Sequence, residues 1–563
     1  MYFNVKICHN VEQIILLKEK KLLGWGCMGS KFMRGTFILT LGTYISKFLG
    51  LIYIIPFFAL VGDNGNALYN YGYVPYTIFI SIATAGIPLA VSKFISKYNA
   101  LEEYGVGRKL FKSGLVVMLL TGLGSFIILY LLAPVFANII IADKDQIIKP
   151  DDVVSVIRAV SFALIIVPSM SLIRGFFQGH QSMGPSAVSQ VVEQIVRVAF
   201  LLIGALIVLK VFHGSIVTAV RVATFAAFVG SIGSLIVLLW YWYRRKPYLD
   251  ELLRKDKGSI QISLKEIYKE IFISAIPFVV VGIANSLFQL VDQLIHNQAM
   301  ANIGLAKIAD ASLAALNVNA HKIVIIPVSL ATAFSVSLVP SITDAFVNHR
   351  KKELKSQMNQ TFQVLLFLTL PASIGISILA EPFYTFFYKP DPFGTKILMI
   401  YAPVAILFAL FSVTAAILQG LNQQKFTVFS LLLGLLFKLI LNTPMIERFQ
   451  TFGAIYATVI GYSVTIIINL LVIKYFANYK YRLVFRRGLL IIIFNIIMGI
   501  SVFLFYKLIT LFIAPVTKPM SLLIILVCAI IGAVIYFYLS FKSRLIYFLF
   551  PEQMQGLKKK LSS

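Results

Sequence analysis

The sequence predicts an all-α polytopic membrane protein: fourteen transmembrane helices, in two parallel six-helix lobes around a central cavity, with two further helices at the C-terminal end. Three observations predict it. Of the 563 residues, 59% are hydrophobic and only 13% are charged, a balance that suits many membrane spans and not a string of soluble domains. Long apolar runs recur along almost the whole chain, separated by short polar breaks. The two halves of the chain also resemble one another at a displacement of six such runs, which preserves direction across a membrane.

Taken in order, residues 1–35 form a basic segment carrying Lys6, Lys18, Lys20, Lys21, Lys31 and Arg34, without the apolar core and cleavage site of a signal peptide. Gly24, Gly26 and Gly29 fit a GxGxxG spacing but follow no strand, so the match is read as chance. The run from Met28 to Gly35 reads like a protein start, which makes 1–27 an upstream extension in this reading. The first apolar run, Thr36–Leu60, would reach roughly 38 Å as a helix, enough to cross a hydrocarbon core of about 30 Å with tilt. Its one charge, Lys47, lies near mid-depth. A lysine there costs on the order of 3 kcal/mol on insertion scales, so it is expected to face a cavity and not lipid.

Thirteen more runs follow, at about 72–96, 110–139, 153–178, 184–210, 214–243, 269–298, 320–346, 356–380, 396–420, 425–445, 451–473, 488–511 and 519–541. They define an N-lobe over 36–243, a cytoplasmic linker over 244–268, a C-lobe over 269–476, helices 13 and 14 within 485–541, and a basic cytoplasmic tail over 542–563. Prolines such as Pro56, Pro88, Pro168 and Pro371 inside these runs are expected to bend helices whose neighbours satisfy the freed carbonyls.

Charge placement orients the set. Of the 50 Lys and Arg, 35 fall on the side of the N-terminus, 9 on the other side, and 6 inside spans. The asymmetry puts both termini in the cytoplasm and explains the net charge of +27 as topology and contact with anionic lipids, not nucleic-acid binding. The linker is too short to fold as a catalytic domain, and no GxxxxGK[ST] loop occurs, so P-loop ATP hydrolysis is excluded. Cys8, Cys27 and Cys528 are far apart and join no histidine cluster; neither a metal nor another cofactor is expected.

Residues 80–134 shifted by 248 place Ser81, Ala83, Thr84 and Ala85 on Ser329, Ala331, Thr332 and Ala333, and Leu120, Thr121, Ser125 and Pro134 on Leu368, Thr369, Ser373 and Pro382. A shift of 241 pairs Gln178-Gly179 with Gln419-Gly420 and Arg197 with Lys438. With Lys47, these two mid-span cations give a central cavity that attracts anions, against two clear acids within spans, Glu193 and Asp292. Arginine suits bidentate phosphate contact and lysine a point-charge contact. Glu193 precedes Arg197 by four residues, the favourable order for an internal pair. Asp292 and His296 share a face of span 7, as a plain hydrogen-bonded pair or a coupling site. Lys322 opens span 8 near the outer surface and is counted with the cavity cations, although a helix-end charge would sit there too.

Three stretches, MRGTFILTLGTYISKFLG (33–50), GIPLAVSK (86–93) and RGFFQGHQSMGPSAVSQVVEQIVR (174–197), closely resemble the YtgP branch of the SpoVB/MurJ-like polysaccharide transport family, within the multidrug/oligosaccharidyl-lipid/polysaccharide exporter superfamily. The resemblance extends over essentially 28–563. It implies fourteen helices, a tail groove lined by the last two, and a lipid II flippase for peptidoglycan synthesis in a bacterial plasma membrane, a transporter and not an enzyme. It assigns function to Lys47 and Lys93, where the MurJ branch carries arginines, while a further first-helix arginine of that branch falls on Tyr53. Partners implied are the lipid-linked oligosaccharide, anionic membrane lipids and cell-wall machinery. A cationic cavity and two extra helices also fit other undecaprenyl-linked cargo. A cation-coupled drug antiporter would want acids in the cavity, and a membrane glycosyltransferase a larger outer loop.

Overall fold

A computed structural model describes residues 31–84, 87–141, 146–258, 263, 279–329, 342–343, 345–346 and 348–549, with side chains from 41 onward except at 89, 90 and 100. Residues 1–30 with the proposed extension, the end of the linker, the start of span 7, repeat positions Ala331 to Ala333 and the end of the tail lie outside the described residues. Among those described, all regular structure is helical.

The first lobe contains α1 (Lys31–Ile52), α2 (Ile54–Thr84), α3 (Ile87–Ala100), α4 (Tyr104–Ile140), α5 (Pro150–Ser161), α6 (Ala163–Gly179), α7 (Gly184–Leu206, continued by a π-helical turn Ile207–Val211) and α8 (Ile216–Arg254). The second contains α9 (Ala284–Asn302), α10 (Ala306–Ser329), α11 (Lys351–Ile378), α12 (Ala380–Phe387), α13 (Pro392–Tyr401), α14 (Val404–Gly420), α15 (Gln424–Phe449) and α16 (Thr451–Phe476). Two long helices, α17 (Arg482–Thr510) and α18 (Lys518–Lys542), and the short α19 (Leu545–Leu549) complete the chain. Most run apolar around their whole circumference, as segments flanked by protein on one side and lipid on the other must. Starts are set locally: Ser215 accepts from the Thr218 amide at 3.2 Å ahead of α8, and Asp391 accepts from Phe393 N at 3.0 Å with Pro392 opening α13.

Among the described residues eleven helices are long and apolar enough to cross a membrane, and a twelfth span arises if α1 and α2, bent by 42°, are taken together. The expected fourteen are therefore not all counted. Span 7 begins among residues that are not described, and spans 1 and 2 part within the expected polar run 61–71, at a kink that α2 carries at Gly62. Helical geometry breaks at Gly62 (φ 67°, ψ −166°) and resumes beyond it, and a further bend of 42° lies at Tyr53. A left-handed φ is open to glycine without a Cβ penalty. The run stays helical because its asparagines are used inside: Asn66 is buried and donates to Asn319 Oδ1 at 2.6 Å. A second difference is α10. It starts at Ala306, well before the expected 320, and is π-helical over Ala315–Ala320. Lys322 is therefore an interior residue of a span and not a helix-end charge. A third is α8, which continues to Arg254 through what reads as linker.

Within the first lobe α7 packs along α8 and α1, and α6 along α3 and α4; within the second, α15 packs along α16 and α9. One continuous buried core joins the two lobes, running from Phe57 and Tyr71 through Phe288 and Leu316 to Phe408 and Tyr462. The α17–α18 pair lies on α11 and α12, fixed by Tyr536 OH to the Phe367 carbonyl (3.0 Å) and Tyr506 OH to Glu381 Oε2 (2.6 Å).

A cationic cluster between the lobes

Tyr69, Tyr73 and Tyr76 recur at i, i+4 and i+7 on α2, so the helix presents one aromatic face. Tyr69 and Tyr73 stack with centroids 5.3 Å apart. Arg197 reaches this face from α7: its Nη2 donates to Tyr73 OH at 2.6 Å and Tyr69 OH at 3.2 Å, and its guanidinium lies 5.1 Å from the Tyr73 ring. From the other lobe, Lys322 on α10 places Nζ 5.3 Å from the Tyr53 ring and 5.7 Å from that of Tyr69. Two cations, one from each lobe, thus share Tyr69. Rings attract cations through their π faces but carry no charge that would cancel them. Tyr53, where the family resemblance leads one to expect an arginine, is covered instead by a lysine from a different helix.

Arg197 does not pair with Glu193. That carboxylate takes Arg174 Nη2 at 2.6 Å, while the same guanidinium donates to Ser189 (2.8 Å) and Ser234 (2.7 Å). Arg174, inside α6, therefore ties α6, α7 and α8 together.

Lys438 is placed differently from the other cations. It is fully buried, with Nζ 2.8 Å from Asp292 Oδ1, 2.5 Å from Thr458 Oγ1 and 5.6 Å from the Phe288 ring. The close crossing of α15 and α16 makes this possible. A Cβ on Gly434 would come within 2.4 Å of the Gly461 carbonyl, so only glycine lets Lys438, one turn on, reach Thr458. Asp292 thus turns to Lys438 and not to His296, whose ring nitrogens face Thr451 (3.1 Å) and Asn297 (3.3 Å). Lys47 on α1 and Lys93 on α3 are exposed, and among the described residues neither has an ion-pair partner. Thr43, one turn before Lys47, donates to Gln190 Oε1 at 3.1 Å, which fixes α1 against α7.

One residue that sequence reasoning passed over is Asp310. It is buried on α10, and it accepts from Tyr71 OH (2.5 Å), Gln146 Nε2 (2.9 Å) and Asn297 Nδ2 (3.3 Å), with Asn297 also donating to Tyr71 OH (2.8 Å). Asn319 donates on to Tyr384 OH at 2.8 Å. These contacts and the Asp63–Lys389 pair, at 2.5 Å, join the lobes by polar groups. The signal was present in the amides Asn297, Asn317 and Asn319, which an apolar span has no reason to carry unless they bond internally.

With this geometry in place, the comparisons with known proteins can be read. Residues 32–346 match the polysaccharide biosynthesis protein family, and 277–443 match the MatE family. The chain is 47% identical over 539 residues to "Lipid II flippase MurJ" of Bacillus subtilis (strain 168), covering 95% of this chain and 99% of that one. This chain belongs to the MurJ-like branch of the polysaccharide biosynthesis family. More distant members include the "Stage V sporulation protein B" of the same bacterium, 22% identical over 72% of this chain and 76% of that one. Its fold is shared with a solved lipid II flippase MurJ in an inward closed conformation (TM-score 0.59, 17% identity, covering 91% of this chain and 100% of the other). It is also shared with an inward-facing multidrug resistance MATE family transporter of the MOP superfamily (TM-score 0.60, 14% identity, 78% and 98%). The protein is accordingly a multi-pass transporter of a bacterial plasma membrane, not an enzyme.

Proposed function

We propose that this protein flips lipid II, the undecaprenyl-pyrophosphate-linked peptidoglycan precursor, from the inner to the outer leaflet by alternating access of its two lobes. The observation that carries the reading is the near full-length identity to the Bacillus lipid II flippase. The cluster gives it a chemistry: Arg197 and Lys322 approach one tyrosine from opposite lobes, and neither has an ion-pair partner among the described residues, which suits a pyrophosphate dianion. Lys47 and Lys93 serve as further cations on the substrate path. Lys438 is withdrawn from that role in favour of holding α9 and α15 together, since Asp292 occupies its ammonium. Asp292, His296 and Glu193 act as structural partners. Lobes at 36–243 and 269–476 would rock about the cluster, with α17 and α18 offering an apolar groove to the polyprenyl tail. Both termini would face the cytoplasm, close to anionic lipids and the cell-wall synthesis machinery.

The test is depletion of the protein in a cell that lacks other flippases, with leaflet-resolved measurement of lipid II. Accumulation on the inner leaflet is expected. An unchanged distribution with halted growth would assign the protein to different cargo.

A further inference from the structure

Arg158 and Arg221 are charged residues within membrane helices that the transport cluster does not use. They meet in a cavity of about 480 Å³ on the flank of the first lobe, lined by residues of α4, α5, α7 and α8 and by none from the second lobe. The guanidinium of Arg158 lies 4.7 Å from the Tyr130 ring, which orients it, and its Nε is buried without a hydrogen-bond partner. Arg221 is exposed at the mouth. Among the described residues neither has an ion-pair partner. Phe162, Phe200 and Phe225 form the apolar floor, with the Phe225 ring in contact with the other two. Uncompensated arginines in a span are costly to keep and are expected to answer to a ligand.

Depth and surroundings say which ligand. α5 begins at Pro150 and α8 at Ile216, on the same side of the membrane by helix alternation. At about 1.5 Å per residue, Arg158 lies roughly 12 Å and Arg221 roughly 7.5 Å below those starts. Counted along the helices, both stay in the outer part of one leaflet, from which a long arginine side chain reaches toward the phosphates. Leu131 on α4 and Ile203 on α7, more than half exposed, flank the cavity with acyl-compatible surface. We propose that Arg158 and Arg221 form a binding site for the phosphodiester of an anionic diacyl phospholipid, in the leaflet at the N-terminal ends of α5 and α8. The aromatic floor takes the upper acyl chains, and the two guanidiniums hold the phosphate through charge-assisted hydrogen bonds. Because every lining residue belongs to one lobe, the site persists when the lobes move.

The experiment uses the full chain purified in mild detergent, with bound lipid counted by native mass spectrometry after exchange into phosphatidylglycerol, phosphatidylcholine or sn-glycerol 3-phosphate. Phosphatidylglycerol should be retained. Phosphatidylcholine, whose ammonium offsets its phosphate, and the soluble glycerol phosphate should not displace it. Arg221→Gln or Arg158→Gln should each weaken retention roughly fivefold, and the double variant roughly twenty-five-fold, at about one charge contact each. Equal retention by the double variant would overturn the site. Displacement by glycerol phosphate at similar concentration would overturn the lipid and make it a site for soluble phosphate. Arg221 is exposed and has no ion-pair partner among the described residues, so Arg221→Gln remains a valid test if the Arg158 variants fail to fold.

Discussion

Arg197 and Lys438 occupy matching positions in the two halves of the chain, yet their surroundings are opposite. Arg197 stands among tyrosine hydroxyls and rings at the lobe interface and keeps its charge available. Lys438 is shut away against Asp292 and Thr458 and has none to offer. The repeat preserved a cation at one depth in two helices and let the neighbours decide its use. An acid on the adjacent helix makes the cation part of the architecture. An aromatic wall holds it in place without cancelling it.

The largest effect should come from breaking the closed member of the pair. Lys438→Met strands the Asp292 carboxylate in a dry interior, and loss of one partner of a buried pair typically costs about 3–5 kcal/mol. Thermal unfolding in detergent should show it, and Asp292→Leu on top should restore most of the loss. Stability unchanged by Lys438→Met would dissolve the contrast.

Removing the hub beside the open member comes next. Arg174→Ala deletes charge-assisted bonds to Glu193, Ser189 and Ser234 and should lower stability by about 2–3 kcal/mol. Changes to the open member itself should alter transport far more than unfolding. Arg197→Lys should keep the fold, with a stability change of about 1 kcal/mol or less, while losing the two-hydroxyl grip and at least about tenfold of the flipping rate. Lys47→Ala goes further in the same direction. Its exposed amine has no ion-pair partner among the described residues, so expression and unfolding should be untouched while complementation of a depleted strain fails. A well-expressed Lys47→Ala protein that supports growth would end its assignment to the substrate path.

The smallest effect lies outside the membrane. Lys257, just beyond α8, bonds to Glu102 at 2.8 Å and donates its backbone N–H to the Glu102 carbonyl at 3.1 Å, pinning the polar segment after α8 to the α3–α4 turn. The hydrogen bond and charge of Lys257 hold the Glu102 carboxyl below its ordinary value of 4.5. A carboxylate with a depressed folded value stabilises above the unfolded value and loses that contribution as pH falls through the folded one. Protease cutting near Lys257 should therefore rise only below pH 4.5, and Glu102→Gln should remove that pH dependence.

What the sequence discloses follows from the range of each interaction. Apolar length and charge asymmetry are local, so the helices, their order and the membrane setting could be read directly. Side-chain pairing across helices could not. Glu193 and Arg197, four residues apart, looked like partners, but Arg174, nineteen residues away, won the carboxylate because three helices converge on it. Asp292 and Lys438 are separated by 146 residues in sequence, and only the glycine contact between α15 and α16 brings that lysine into place. Polar residues inside spans misled in one consistent way. Asn66 and Asp310 read as loop residues when they are hydrogen-bonded interior ones.

The seam around Asp310 bears on how easily the lobes part. A contact sealed by leucine and phenylalanine would have to expose oil to water on every opening. Here part of the contact, beside the apolar core that also joins the lobes, runs through Tyr71, Gln146, Asn297, Asn66 and Asn319, groups that trade each other for solvent at a net of about 0.5–1.5 kcal/mol per hydrogen bond. These polar parts of both faces are wettable once separated. A machine that must open and reclose in every cycle gains from a seal whose broken state is already comfortable in water. Reversibility, more than tightness, is what these asparagines and their one carboxylate provide.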